Sequence, residues 1–193
     1  MIDSMALRTG KLDSKQWSDI AKATTRLAGC DILIDDTTGI TVTGMKGKLR
    51  RIKNLGLVVV DYLGLMQSDR RIENRVNEVA EISRNLKIMA KELAVPVVCC
   101  AQLSRGPESR TDKRPMLSDL RDSGAIEQDA DVVIFLYKDD YYDKKDTSDG
   151  DEGCIAEVII AKNRHGSTGT VKMGWIGRYT KFRSIASNMG DEP

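Results

Sequence analysis

Leu57-Val58-Val59-Val60-Asp61 is the stretch that decides the fold. Four apolar residues, three of them β-branched, end abruptly in a carboxylate, which is how a buried parallel strand delivers an acid to a phosphate-bound magnesium ion. Further on, Val95-Pro96-Val97-Val98-Cys99-Cys100-Ala101-Gln102 repeats the design, an apolar run closed by one polar side chain. Between the two, Val76, Val79, Ile82, Leu86, Met89 and Leu93 recur every three or four residues, the signature of a helix that buries one stripe. Strand, long helix and strand make a right-handed βαβ unit. Ligands of open α/β sheets sit at the carboxyl ends of such strands, so Asp61 and Gln102 become candidates for a single site.

On the N-terminal side, Asp13 or Ser14 can cap a helix in which Trp17, Ile20, Ala21, Thr24 and Leu27 share one face, ended by Gly29. A short strand is expected from Asp31 to Asp35. A basic helix is expected from Thr43 to Asn54, although Gly44 and Gly47 each cost roughly 1 kcal/mol there relative to alanine, so it must lean on tertiary packing. Beyond Gln102 comes a loop with Gly106, Pro107 and Pro115, a short helical stretch after Ser118, and a strand from Asp131 to Tyr137. Strands at Ile155 to Ala161, Thr170 to Trp175 and Thr180 to Ile185 follow, the first two separated by Asn163-Arg164-His165-Gly166. There are no repeats and no low-complexity linker, and the expectation is a single α/β domain spanning 1–193.

Composition sets limits on function. With 40% apolar and 31% charged residues the chain is an ordinary globular one, and no apolar run is long enough for a bilayer. Nothing at Met1-Ile2-Asp3-Ser4 resembles a signal peptide, so the chain reads as cytoplasmic. Cys30, Cys99, Cys100 and Cys154 lack zinc-ligand spacing and read as structural thiols. A net charge of +1 gives no global attraction to nucleic acid, so DNA contact must come from local basic segments. Residues 105–114 supply one, with Arg105, Arg110, Lys113 and Arg114 against Glu108 and Asp112, a net +2. Residues 138–152 carry a net −4 and read as a solvated hairpin loop.

Each candidate has a bland reading. Asp61 alone is as readily a strand-end cap, and Gln102 alone an idle polar residue at a loop start. On consecutive strands of one βαβ unit, followed by Tyr62-Leu63-Gly64, they converge on a magnesium ligand and an amide that senses a γ-phosphate or orients the attacking water. Lys162 and Arg164 follow the apolar strand Val158-Ile159-Ile160-Ala161 and alternate onto one face. They are either a solvated strand end or an arginine finger with a supporting lysine, offered to a neighbouring subunit's nucleotide. The single histidine, His165, is given no catalytic role. No G-x-x-x-x-G-K-[ST] loop occurs anywhere in the chain.

Taken together, these residues resemble the C-terminal motor domain of the bacterial replicative DNA helicases of the DnaB type. The resemblance covers nearly the whole chain. It runs through Leu7-Arg8-Thr9-Gly10-Lys11-Leu12, Ile34-Asp35-Asp36-Thr37-Thr38-Gly39-Ile40-Thr41-Val42, Val59-Val60-Asp61-Tyr62-Leu63 and Ala101-Gln102-Leu103-Ser104-Arg105. It continues through Asp112-Lys113-Arg114-Pro115-Met116-Leu117-Ser118-Asp119-Leu120-Arg121 and Ile126-Glu127-Gln128-Asp129-Ala130-Asp131. What it implies is a RecA-like fold, a mostly parallel sheet flanked by helices with antiparallel strands at the C-terminal end. It also implies a homohexameric ring around one DNA strand, ATP and Mg2+ bound between subunits, and a primase and a helicase loader as partners. Asp61 then looks like the Walker B acid, Gln102 like the γ-phosphate sensor, and Lys162 and Arg164 like the lysine and arginine finger given in trans. Arg121, Asp122 and Gly124 lie where the family's DNA-gripping loop contacts the phosphate backbone, with Asp122 shorter than the usual Glu, and the basic loop of Arg105, Arg110, Lys113 and Arg114 stands beside them.

In the family, the phosphate-binding loop, its strand and the catalytic glutamate precede the point where this chain begins. The resemblance therefore implies a fragment without its central strand, one that does not turn over ATP alone. In that RecA-like order the central strand lies between the Gln102 strand and the strand from Asp131. Without it the two must close on each other, be filled by another chain, or leave open edges. A non-hydrolysing DNA-binding or assembly module is the competing reading. A RecA-like strand-exchange protein shares the fold, but the run from Lys113 to Asp131 argues against it.

Overall fold

The computed structural model describes residues 1–120, 124–138 and 154–185. In chain order the helices are α1 (Ser4–Thr9), α2 (Ser14–Ala28), α3 (Val42–Leu49), α4 (Arg75–Leu93) and α5 (Gly124–Asp129). The strands are β1 (Val58–Val60), β2 (Val97–Cys99), β3 (Val132–Lys138), β4 (Cys154–Asn163), β5 (Gly169–Ile176) and β6 (Lys181–Ser184). β1 and β2 form a two-stranded parallel sheet, with Val58 opposite Val97 and Val60 opposite Cys99. The other four strands form an antiparallel sheet in the order β3-β4-β5-β6. This is the expected α/β architecture with antiparallel strands at its C-terminal end, its parallel part limited to the βαβ unit.

The chain divides into two compact units, and the boundary runs through β3 and β4. One unit comprises Asp36–Phe135 and Ile159–Gly169. Its organiser is α4, capped by Asn74, whose side chain accepts the Val76 N–H at 2.8 Å, and closed by Ala94 in the left-handed conformation. Val79, Ile82, Leu86 and Met89 are its buried stripe, as the 3.6-residue period requires. They pack with Val42, Val58, Val60, Leu63, Met66 and Val95. Each such side chain contributes roughly 1.5 to 3 kcal/mol through burial. A second cluster gathers Leu120, Val133 and Phe135, and half-buried Ile126 of α5 touches both.

The other unit comprises Met1–Asp35, Leu136–Val158 and Thr170–Pro193. Here Asp3 caps α1, accepting from Met5 N at 2.7 Å and Ala6 N at 3.1 Å, and its second oxygen accepts from Arg178 Nε at 2.9 Å. The N–H groups of Ala6 and Met5 hold its carboxyl below the usual range. Trp175 and Phe182 pair across β5 and β6 with ring centroids 4.7 Å apart. α2 begins with a capping box, in which Asp13 and Gln16 each bond the other's backbone N–H, and ends at Gly29, as its sequence predicts.

Three expectations change. The strand expected from Asp31 to Asp35 is absent: those residues are extended and exposed, Ile34 at 90%, because no neighbouring strand among the described residues offers a ladder to pair with. The basic helix ends at Leu49 rather than Asn54, where Arg50, Arg51, Lys53 and Asn54 form turns, Asn54 at φ 57°. The run ending at Asp61 reads as a buried strand, yet among the described residues only one face of each such strand is covered. Val58 and Val60 are buried while Val59 and Val98 remain 59% and 52% exposed, and on β3 Val133 and Phe135 are buried while Val132 and Ile134 are exposed. β2 and β3 do not close on each other, since they belong to different sheets. The acidic stretch Asp139 to Glu152 lies outside the described residues, and among the described residues no helix is long and apolar enough to cross a membrane.

Candidate nucleotide and nucleic-acid site

The parallel pairing brings Asp61 and Gln102 to the same end of one sheet. Cys100 N donates to Val60 O at 2.9 Å and Leu63 N to Cys100 O at 2.9 Å, which laces the two strand ends together just where Asp61 leaves β1 and shortly before Gln102. Buried Leu63 anchors the 3-10 turn Leu63–Leu65 beneath them, and the Asp61-Tyr62 peptide is cis. Both side chains are exposed, and among the described residues neither has a hydrogen-bond or ion-pair partner. Nor, among the described residues, does any cluster of three His, Cys, Asp or Glu side chains surround them. A single free carboxylate suits Mg2+, which keeps most of its water and takes one or two protein carboxylates beside substrate phosphates.

Lys162 and Arg164, at the end of β4, are not free. Lys162 Nζ donates to Glu127 O at 2.5 Å and lies 3.5 Å from Gln128 O. Arg164 Nη2 donates to Gln128 O at 3.3 Å, its Nη1 lies 3.4 Å from Asp131 Oδ1, and its backbone N–H donates to Asp131 O at 2.8 Å. The last carbonyls of α5 lack intrahelical donors, and two cations on β4 supply them. Asp131 also pairs with Lys87 of α4, and chiefly that contact keeps its carboxyl below the ordinary range, helped by the charge of Arg164.

The basic loop divides in the same way. Arg110 reaches Asp119 with both guanidinium nitrogens, at 2.9 and 2.6 Å, and also donates to Arg114 O at 2.8 Å. Asp119, 4% exposed, accepts Met116 N at 2.8 Å as well. Burial works to raise its carboxyl, but the Arg110 bonds and the Met116 N–H prevail and hold it low. Ser104 N donates to Asp119 O at 2.8 Å and Leu103 bridges Leu120, so the segment after Gln102 is fastened to the segment before residue 121. Arg105, Lys113 and Arg114 lie on the same loop, Arg105 and Arg114 exposed and Lys113 half-buried, with Arg114 3.4 Å from Asp112. Gly124 opens α5, while Arg121 and Asp122 lie outside the described residues.

Two hollows among the described residues lie elsewhere. One is lined by Arg70, Arg84, Gln128 and Asp129 among others, another by Gly39, Gln67, Arg71 and Arg75, and neither includes Asp61 or Gln102. Sequence reasoning did not single out Lys87, Asp119 or Asp131 as site residues. Asp119 and Asp131 stand inside the motif runs, but partners such as Lys87 and Asp131 lie 44 positions apart, and no local pattern announces such a pairing.

Comparison with known proteins gives a consistent result. Residues 1–184 match the family described as DnaB-like helicase C terminal domain. The chain is 51% identical over 188 residues to replicative DNA helicase DnaB of Geobacillus stearothermophilus, covering 95% of this chain and 40% of that protein. It is 48% identical over 194 residues to replicative DNA helicase DnaC of Bacillus subtilis (strain 168), covering 98% and 42%. Among solved structures it superposes at a TM-score of 0.85 and 40% identity on a DnaB-like replicative helicase described with its interactions with primase, over 95% of this chain and 46% of that one. A second solved structure, described as an ATPase domain, gives the same TM-score and identity, with 66% of that chain covered. The chain thus spans about two fifths of the length of the relatives it matches.

Proposed function

This chain belongs to the DnaB-like helicase C-terminal domain family, and on that premise we propose that it is the C-terminal motor part of a replicative DNA helicase, a single ATPase domain working in the cytoplasm. ATP hydrolysed between the subunits of a homohexameric ring drives 5′-to-3′ movement on single-stranded DNA, with a primase and a helicase loader as partners. The observation that carries this reading is the pair of exposed polar side chains, Asp61 and Gln102, unpartnered among the described residues, just beyond the carboxyl ends of two adjacent parallel strands.

In this reading the Asp61 carboxylate would hold Mg2+, which when bound would supply neutralisation of the nucleotide's phosphate charge. The Gln102 amide orients the attacking water or reads the terminal phosphate. Arg164, with Lys162 beside it, neutralises charge that builds on the nucleotide of the neighbouring subunit in the transition state. Gly124, Arg121 and Asp122 take the DNA backbone, where main-chain N–H groups give binding that ignores sequence, and Arg105, Lys113 and Arg114 add charge. A second reading is a non-hydrolysing DNA-binding or assembly module.

Unwinding of a forked duplex and single-strand-stimulated ATPase, measured on the assembled protein that carries these residues, separate the two. The helicase reading expects both activities, and expects Asp61→Ala to remove them. A wild-type assembly that binds DNA without hydrolysing ATP belongs to the second reading.

A further inference from the structure

Arg164 is already engaged, and what engages it has a second end. Its guanidinium rests on Gln128 O at 3.3 Å and on Asp131 Oδ1 at 3.4 Å, both long contacts, and the side chain is 46% exposed. Lys162, by contrast, is held to Glu127 O at 2.5 Å. Both acceptor carbonyls belong to the last turn of α5, a helix of six residues that opens at Gly124. Six residues span roughly 9 Å, so whatever loosens one end is felt at the other.

We infer that Asp131 is the positioning residue of Arg164, parking it against the C-terminal end of α5, and that departure of Arg164 toward a phosphate loosens α5 and with it Gly124. The inference rests on the function proposed above and adds a regulation of that same site. A nucleotide phosphate offers the guanidinium short, charge-assisted, bidentate bonds in place of two long ones, so the exchange favours release. Lys162 stays behind as the fixed post, because its contact is short and half-buried. Asp131 keeps the departing group within reach through the backbone bond from Arg164 N to Asp131 O, and is itself anchored to α4 by Lys87. Reciprocally, DNA that stiffens α5 from the Gly124 end changes how readily Arg164 leaves, which makes hydrolysis respond to DNA.

The test uses the assembled protein that carries these residues and compares Asp131→Asn with Lys87→Gln. Both variants break the Asp131–Lys87 pair, but Asp131→Asn alone also removes the charge that parks Arg164. The inference expects Asp131→Asn to cut the stimulation of ATPase by single-stranded DNA about tenfold with KM for ATP within about twofold of wild type, and Lys87→Gln to stay near wild type. Equal losses in the two variants mean that Asp131 is only a staple between α4 and β3, and overturn it, as does unchanged stimulation in Asp131→Asn. Hydrogen exchange on the wild-type assembly keeps the test decisive if Asp131→Asn does not fold. Amides 124–129 are expected to exchange faster with a non-hydrolysable ATP analogue bound, and unchanged or slower exchange overturns the inference. A wild-type assembly with no ATPase at all fails earlier and differently, by removing the proposed function itself.

Discussion

Among the described residues the side chains of Asp61 and Gln102 have no partner, whereas Lys162 and Arg164, in the same compact unit, are engaged by α5 and Asp131. The difference teaches where energy is stored in such a site. On the proposed reading, groups on the open strand ends gain partners only from a ligand, so removing them is expected to leave folding nearly untouched. In the proposed mechanism Arg164 exchanges one set of partners for another while Lys162 keeps its own, so removing Arg164 is expected to affect both the fold and the chemistry.

The largest effect that can break this comparison is on rate. In the assembled protein, Arg164→Ala is expected to lower turnover on the order of 10³-fold or more with ATP binding nearly intact, because a finger acts on the transition state. Under the proposed function Asp61→Ala is expected to remove turnover as well, but through a different subunit's half of the interface. Mixed assemblies of the two variants should recover activity at interfaces that pair an intact Asp61 with an intact Arg164, and failure to recover at any mixing ratio means the finger does not act in trans. Thermal unfolding of the same variants sharpens the contrast. Asp61→Ala should shift stability by no more than about 0.5 kcal/mol, while Arg164→Ala should cost about 1 kcal/mol for its lost bonds.

The basic loop extends the comparison to Arg110. Asp119→Ala leaves a guanidinium and the Met116 N–H without their acceptor in a buried place, and is expected to destabilise the fold by about 3 kcal/mol in denaturant titration. Arg105→Ala should leave stability alone and weaken single-strand binding, since its side chain holds nothing among the described residues. If Asp119→Ala unfolds at the wild-type midpoint, the loop is not buckled as described.

Much of this was legible in the sequence, and the reasons for the remainder are physical. The helix stripe of α4, the capping box of α2 and the two strand ends are written within short spans, where periodicity of 3.6 residues, a capping residue and an apolar run are local signals. The strand expected at Asp31 to Asp35 failed because a strand is a statement about a partner, and its residues carry no information about whether one is adjacent. Asp131 and Asp119 escaped for the same reason. Their importance lies in Lys87, Arg164 and Arg110, brought near by tertiary packing rather than by spacing. The covered and bare faces of β1 and β3 were equally unreadable, since an unbroken apolar run does not record which face its own chain covers.

Acid separates the engaged side from the waiting side by a smaller margin. The Asp131 carboxyl is held below its ordinary value by Lys87 first and by Arg164 and His165 as well. A depressed folded-state value means that its contribution to stability is present above the unfolded carboxylate value of about 3.9 and fades as pH falls through the folded value. The stability difference between wild type and Asp131→Asn is therefore expected to be full near neutral pH and to shrink below about pH 4. Chemical denaturation at several pH values measures it, and a difference that grows with acid contradicts the assignment.

The smallest effect is a labelling rate, and it probes the waiting side directly. Neighbouring thiols at the end of β2 face different surroundings: Cys99 is half-buried, and burial, with the adjacent Cys100, pushes its thiol up to about 11, while Cys100 is exposed shortly before Gln102. At pH 8 only about one in a thousand Cys99 side chains is thiolate, so it should alkylate far more slowly than Cys100. Cys100 then acts as a reporter for the strand ends. If nucleotide and Mg2+ settle against Asp61 and Gln102, they should slow alkylation of Cys100 several-fold and leave the slow rate at Cys99 unchanged. Equal protection of both cysteines points instead to a general tightening of the fold. No protection of Cys100, in an assembly that demonstrably binds nucleotide, places the phosphates away from this end of the parallel pair, and Asp61 and Gln102 lose the role proposed for them.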